Sequence, residues 1–477
     1  MSVYTALRIS AIEKPLQAVI TLVGLLTLSR LLTPSEIGVQ VLAAAVMLFA
    51  AELKNFGIGG FIIRHKSLSK PIIQNTFTIS FIVSSSLGGI LLFLSDEIGQ
   101  AFSDERVSTS ISIIAITFFF VPFMSVTSAL LSKNFEFKKL AIARTSEIAV
   151  LNTASIVLAL YGFGYLSLPI GMLIGNVATL FVFILFKPAL ASFRLNFMGI
   201  KSILLENLFI TLNAGVKRLI IVLPEVLIGY FSTAANAALF SRGFGIVDFG
   251  ISTLQGFLGT IVSPYLAREN TSLTAVTLAF TSINKLIGVL MFPLLIGISM
   301  LSDELIHLML GDQWYAAADI TSIIAIAMIF KFFFSFYNEF FITIKKDKVL
   351  ANFQTAELFL LGVSCTVAAI NSIDLIPYAI LGTCVVVLIG KLVYFQASDF
   401  LSLTDYFNDN KLNYIAGLAI FLVIYAVQII FNAMSISSHF LIIFASLVLS
   451  SIVWFSILVM GKHPIIAVMK RLTKMSN

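Results

Sequence analysis

The chain has 477 residues, of which 59% are apolar types and 11% charged, whereas soluble domains run at roughly half apolar and a quarter charged. Mean hydropathy is +1.02. This composition excludes a soluble enzyme and describes a polytopic membrane protein; the sequence also lacks the G-x-x-x-x-G-K-[ST] phosphate loop of the usual ATP-hydrolysing modules.

A membrane-crossing helix needs about 20 mainly apolar residues. Fourteen such stretches are predicted, centred near Thr21, Ala45, Ser84, Phe118, Leu151, Ile174, Asn213, Asp248, Val289, Ile329, Phe359, Val386, Phe421 and Leu449. The first runs from Leu16 to Leu32 with no small-residue cleavage site after it, so it reads as a retained helix and not a secretory signal. Pro122, Pro224 and Pro293 fall inside spans and predict kinks there. The joints are too short to fold as soluble domains.

The pI near 9.1 invites a nucleic-acid reading, which the placement of the bases removes. With the N-terminus in the cytoplasm, the inner joints hold Arg8 and Lys14; Arg64, Lys66 and Lys70; Lys133, Lys138, Lys139 and Arg144; then Lys187, Arg194 and Lys201. The same side continues with Arg268 and Lys285; Lys345, Lys346 and Lys348; Lys391 and Lys411; and Lys462, Lys470, Arg471 and Lys474. The outer joints hold only Arg30 and Arg106. This is the positive-inside asymmetry, and it places both termini in the cytoplasm. Cys365 and Cys384 lie in apolar runs and read as small buried hydrophobes, and the four histidines form no ligand pair, so neither metal nor cofactor is expected.

The chain also repeats itself. Leu94-Ser-Asp-Glu97 recurs as Leu301-Ser-Asp-Glu304, and Ser112-Ile-Ile-Ala-Ile116 as Ser322-Ile-Ile-Ala-Ile326. Lys138-Lys-Leu-Ala-Ile-Ala-Arg-Thr-Ser-Glu147 aligns with Lys348-Val-Leu-Ala-Asn-Phe-Gln-Thr-Ala-Glu357. Chance matching of apolar sequence explains the charged and polar identities poorly. The expected architecture is all-α, with two parallel six-helix lobes, residues 1–197 and 198–398, and an appended pair of helices with a cytoplasmic tail, 399–477. Parallel repeats of this kind place a substrate path between two lobes and suit rocking-type alternating access.

Ser29-Arg-Leu-Leu-Thr-Pro-Ser-Glu-Ile-Gly38 resembles the R-L-L-T-P-x-x-F-G signature of bacterial polysaccharide exporters in the multidrug/oligosaccharidyl-lipid/polysaccharide (MOP) superfamily. Asn55-Phe-Gly-Ile-Gly-Gly-Phe-Ile-Ile-Arg64 is similar to its D-L-G-L-G-x-A-L-I-Q stretch, with Asn55 where an acid is common, as Ile37 stands where Phe is. Asn134-Phe-Glu-Phe-Lys138, Leu239-Phe-Ser-Arg242 and Leu310-Gly-Asp-Gln-Trp314 resemble later landmarks. The resemblance implies a flippase of the bacterial inner membrane. Its substrate would be an undecaprenyl-diphosphate-linked oligosaccharide, used for O-antigen, capsule or exopolysaccharide, and a polysaccharide polymerase and chain-length regulator would be its partners.

A charge at mid-bilayer costs at least about 2.5–3.5 kcal/mol, so it normally faces a bundle interior or a watery cavity. Lys217 and Arg218 lie near the centre of span 7, with Glu225 on about the same face. They are candidates to attract a lipid diphosphate; the alternative is an internal ion pair with Glu225. Lys331 in span 10 and Arg242 in span 8 are candidates for the same ligand, or for ion pairs between helices. Lys54 reads as a snorkelling side chain. Glu147 and Glu357, at equivalent places in the two halves, together with Glu225 and Asp248, are candidates to couple transport to a proton or sodium gradient; helix-packing hydrogen bonds are the structural alternative for the first two. Glu52 and Glu339 sit near span ends and are expected to stay solvated. Most aromatic residues are expected to be lipid-facing bulk and interface anchors.

Two rivals stay open. A drug/cation antiporter of the same superfamily would want an acidic cavity without a central basic pair. A membrane-embedded glycosyltransferase or polymerase would want sizeable outer loops with paired carboxylates, whereas Asp96-Glu97, Asp104-Glu105 and Asp303-Glu304 read as solvated loop charges, and no catalytic residue is assigned.

Overall fold

Backbone groups inside a bilayer have no water to bond, and long apolar segments therefore bond internally as helices. The computed structural model describes residues 3–55, 58–65, 67–197, 200–269, 271–435 and 438–466, apart from the side chains of 3–8, 10–12, 53–55, 58, 64, 201–214, 256–261 and 263–264. The side chain of Lys54 and residues 56–57 of the second motif thus lie outside the described set. Among the described residues every regular element is helical. The first ten helices are α1 Val3–Leu31, α2 Pro34–Asn55, α3 Ile58–Arg64, α4 Lys70–Phe93, α5 Ser95–Ala101, α6 Glu105–Ala115, α7 Val121–Lys133, α8 Phe137–Leu160, α9 Ser167–Leu185 and α10 Ile200–Phe231. There follow α11 Ala234–Arg268, α12 Leu273–Met300, α13 Ser302–Met309, α14 Ala317–Lys331, α15 Tyr337–Thr343, α16 Asp347–Asn371, α17 Ile376–Ala397, α18 Leu403–Ala433 and α19 His439–Met460.

Ten segments of the described chain are long and apolar enough to cross a membrane, and an eleventh crossing results if α6 and α7, bent by 50°, form one span. The helices α1, α10 and α11, of 29, 32 and 35 residues, are long enough as well at about 1.5 Å per residue. Taken as spans, those three bring the total to the expected fourteen. This is an all-helical, multi-pass membrane protein.

The chain packs as two units, Met1–Ala238 and Leu239–Asn477. In the first, α8 lies between α1 and α9, and α10 lies along α2. In the second, α12 and α17 flank α14, α16 packs on α17, and the last two helices pack on each other and on α12 and α13. This packing division falls later than the repeat boundary near 197, because α10 belongs with α2.

Element order is itself duplicated. From α4 to α9 the chain runs as long helix, short helix, broken span and two long helices joined by a 3-10 turn, and the same series returns from α12 to α17. The starts of α2 and α11 match too: the backbone N–H groups of Glu36 and Asn236 each donate to the hydroxyl of the preceding cap threonine, Thr33 or Thr233, at 3.3 Å. At α2 the Glu36 carboxylate closes the capping box by accepting from the Thr33 backbone N–H at 2.8 Å. The Thr-Pro-Ser-Glu motif is thus the helix start, with Pro34 at the first helical position. Four residues on, a Cβ at Gly38 would stand 1.8 Å from the Ala234 carbonyl oxygen, so only glycine allows that approach. The repeated Ser-Asp-Glu places acids in the first turns of α5 and α13, where the helix dipole favours them. Glu304 is buried there and accepts from Gln428 at 3.4 Å, so it is not the solvated charge expected.

The structure adds to the proline and aromatic readings. Pro122 adjoins the 50° bend of the fourth span, whereas α10 and α12 continue as helix on both sides of Pro224 and Pro293. The second unit also has a break at Phe332–Phe336, where Ser335 is extended and Phe336 is left-handed at φ 59°. Carbonyls freed by that break are satisfied by hydroxyls: Tyr406 donates to Phe333 at 2.6 Å and Ser335 to Phe332 at 2.8 Å. The aromatic residues, for their part, are not only lipid-facing. Phe280, Phe334, Phe340, Phe341 and Phe395 are fully buried against one another and form an aromatic core around the break.

Candidate functional site

Within the first unit, Lys217 and Arg218 sit on α10 where the helix lies along α2. Lys217 is exposed. Arg218 donates through Nη2 at 2.9 Å and Nε at 3.2 Å to Oε1 of Glu52 on α2. The observed partner is therefore on another helix rather than at Glu225 of the same one, and Glu52 is a held, part-buried carboxylate rather than a solvated one. Glu225 and Glu147 are both part-buried on their helices, α10 and α8.

In the second unit, two of the sequence landmarks meet. The Arg242 guanidinium lies 5.8 Å from the centre of the Trp314 ring, and Trp314 is completely buried. The turn that delivers the tryptophan requires Gly311, at φ 99°. Arg242 therefore contributes to packing around the tryptophan, and among the described residues no contact joins it to Lys331.

Deeper in that unit lies the densest set of charges. Lys331 occupies the last turn of α14, at the break, where the free carbonyls of a helix C-terminus favour a cation. Its Nζ donates to Oε1 of Glu357 on α16 at 3.0 Å. Asp248, exposed on α11, and Lys391 on α17 are both within electrostatic reach of this pair. Asp248, Lys331 and Lys391 stand fourteen or fifteen residues from the N-terminal ends of their helices, and Glu357 fourteen from the C-terminal end of its own.

Lys391 was expected in an inner joint. It lies instead within a membrane-crossing helix, is only 3% exposed, and holds its Nζ 3.6 Å from the centre of the Tyr337 ring. Charge counting by joint missed it because it sits near the C-terminal end of its helix, next to the span boundary. The available signal was its place on α17, six residues before the Ala397 terminus, too deep for simple exposure.

These features define a class: a multi-pass helical protein of duplicated design with bases held inside its spans. The fold is shared with solved transporters. It matches the lipid II flippase MurJ in an inward closed conformation with a TM-score of 0.78 at 12% identity, over 96% of this chain and 99% of that one. An inward-facing multidrug resistance MATE family transporter of the MOP superfamily matches with 0.66 at 14% identity, over 80% and 94%. The chain belongs to the polysaccharide biosynthesis protein family Polysacc_synt_3, whose model matches residues 27–319. Relatives include the lipopolysaccharide biosynthesis protein WzxC of Escherichia coli, 19% identical over 64% of this chain and 62% of that protein. The teichuronic acid biosynthesis protein TuaB of Bacillus subtilis is 21% identical over 66% and 65%. The matches thus span a little under two thirds of those relatives' lengths.

Proposed function

We propose that this protein is a flippase that carries an undecaprenyl-diphosphate-linked oligosaccharide across the bacterial inner membrane for assembly of a surface polysaccharide. Both termini are cytoplasmic in this reading, and the protein makes no bonds itself but hands its substrate on to a polymerase and chain-length regulator. The observation that carries it is the set of bases inside the spans, Lys217, Arg218, Lys331 and Lys391, in a chain of the polysaccharide biosynthesis family. Each such base costs free energy to insert, and a diphosphate headgroup is the ligand that would make use of it.

In this cycle Lys217 attracts the headgroup and Arg218 contacts it in bidentate fashion within the first unit, and Lys331, at the broken span of the second, is a further base suited to the same diphosphate. The two repeats alternate access to the two leaflets, driven by an ion gradient. Asp248, exposed on its helix and with no ion pair among the described residues, leads the candidates for coupling, ahead of the part-buried Glu147 and Glu225. Glu357 answers Lys331 and serves the anion site instead. A cation antiporter fits less well, since Glu52 and Glu357 are both already engaged by bases.

The test is translocation of a fluorescent polyprenyl-diphosphate-linked sugar in proteoliposomes, with and without a pH or sodium difference. Protein-dependent transfer is expected, and Lys217→Ala with Arg218→Ala should abolish it at normal abundance. Undiminished transfer in that double variant removes the α10 assignment, and transfer no faster than in protein-free vesicles removes the function.

A further inference from the structure

One carboxylate, Glu357, interacts with ammonium groups on two other helices, Lys331 on α14 and Lys391 on α17. It bonds Lys331 directly at 3.0 Å, and it is the carboxylate that acts on Lys391 among the described residues. The two bases differ in access. The Lys331 side chain keeps 35% of its surface open, whereas Lys391 is sealed against Tyr337. A buried ammonium is costly even over a ring face, whose attraction returns only part of the lost hydration. Lys391 therefore needs a negative neighbour more than Lys331 does, and Glu357 is that neighbour.

We infer that Lys391 is a positioning residue that takes charge of Glu357 when a diphosphate engages Lys331. The inference rests on the flippase reading. A diphosphate reaching the open face of Lys331 competes with Glu357 for the same Nζ. Were Glu357 simply displaced, a residue that is 7% exposed would be left as a buried charge without a partner, which is strongly unfavourable. With Lys391 beside it, the carboxylate passes from one ammonium to the other and no buried charge is abandoned. Lys331 is thereby free for the substrate and returns to Glu357 on release. Cys384, Tyr337 and the exposed Asp248 are the other titratable groups facing this set, and of these Asp248 supplies a second negative field, on the Lys331 side.

The experiment measures binding of farnesyl diphosphate, and of inorganic pyrophosphate as a competitor, to the full-length protein in detergent. Lys391→Met should weaken both by about tenfold, because Glu357 then holds Lys331. Adding Glu357→Gln to Lys391→Met should bring affinity back to within about threefold of the parent, since no carboxylate is left to hold Lys331 or to strand; a merely structural lysine would not be rescued by removing its neighbour's charge. Glu357→Gln alone should bind at least as tightly as the parent, and this arm decides the matter if Lys391→Met does not fold. The inference is overturned if Lys391→Met binds as the parent does, if the double variant stays as weak as Lys391→Met, or if Glu357→Gln loses binding. Binding that Lys331→Gln abolishes and Lys391→Met leaves intact sinks this inference alone, whereas no binding to the parent protein sinks the flippase reading with it.

Discussion

The Arg218 guanidinium reaches from α10 to a single oxygen of Glu52 on α2, with Nη2 at 2.9 Å and Nε at 3.2 Å. Both side chains keep about a quarter of their surface open, 29% and 26%, so the pair is neither fully wet nor fully buried. Breaking it by Glu52→Ala should cost about 1–2 kcal/mol, between the surface and buried limits. A reversed pair, Glu52→Arg with Arg218→Glu, should recover the melting temperature lost by either single variant yet leave export lost, since α10 then presents a carboxylate in place of the guanidinium beside Lys217. Export restored by the reversed pair would reduce Arg218 to scaffold.

Arg242 and Trp314 make a different prediction, about packing. Trp314→Ala should cost about 3–5 kcal/mol, the loss typical of a large buried aromatic. Arg242→Ala should cost about 1–2 kcal/mol, and Arg242→Lys should recover only part of it, because an ammonium lacks the planar face. Thermal melts in detergent check both. An Arg242→Ala protein that melts normally but does not export would return this base to the substrate path.

Gly38 tests the close approach at the start of α2. Gly38→Val should prevent accumulation of the protein, since even a Cβ would fall 1.8 Å from the Ala234 carbonyl oxygen, and backbone cannot yield as a flexible side chain does. Gly59, where a Cβ meets nothing within 4 Å, is the control: Gly59→Ala should accumulate normally. Equal abundance of both proteins, read by quantitative immunoblot of membranes, would remove the contact as a determinant of folding.

His463, just beyond α19, provides a pH prediction. Its side chain is buried, and burial, with the Lys285 ammonium nearby, pushes its pKa down to about 4 from 6.5. The unfolded chain then takes up a proton near pH 6.5 that the folded one refuses until about pH 4. Stability from this group is present above pH 6.5 and is lost as pH falls toward 4. The melting temperature should drop over that window in the parent protein and drop less in His463→Phe; identical pH profiles would show that the imidazole does not titrate this way.

The sequence by itself determined the class and most of the frame. Apolar stretches of span length leave the backbone no choice but helix, and they can be read along the chain because span length is a one-dimensional property of it. The motifs were legible as well, since Thr33-Pro-Ser-Glu36 and Gly311 act locally through a cap and a left-handed turn. Only the tertiary structure decided which charges answer one another. Arg218 pairs across 166 positions with Glu52, and Lys391 enters the Lys331–Glu357 site from a helix read as ending in a basic joint. Spacing along one helix brings together residues three, four or seven apart, but the face a helix turns toward its neighbour depends on how apolar surfaces pack, and apolar spans look alike on every side.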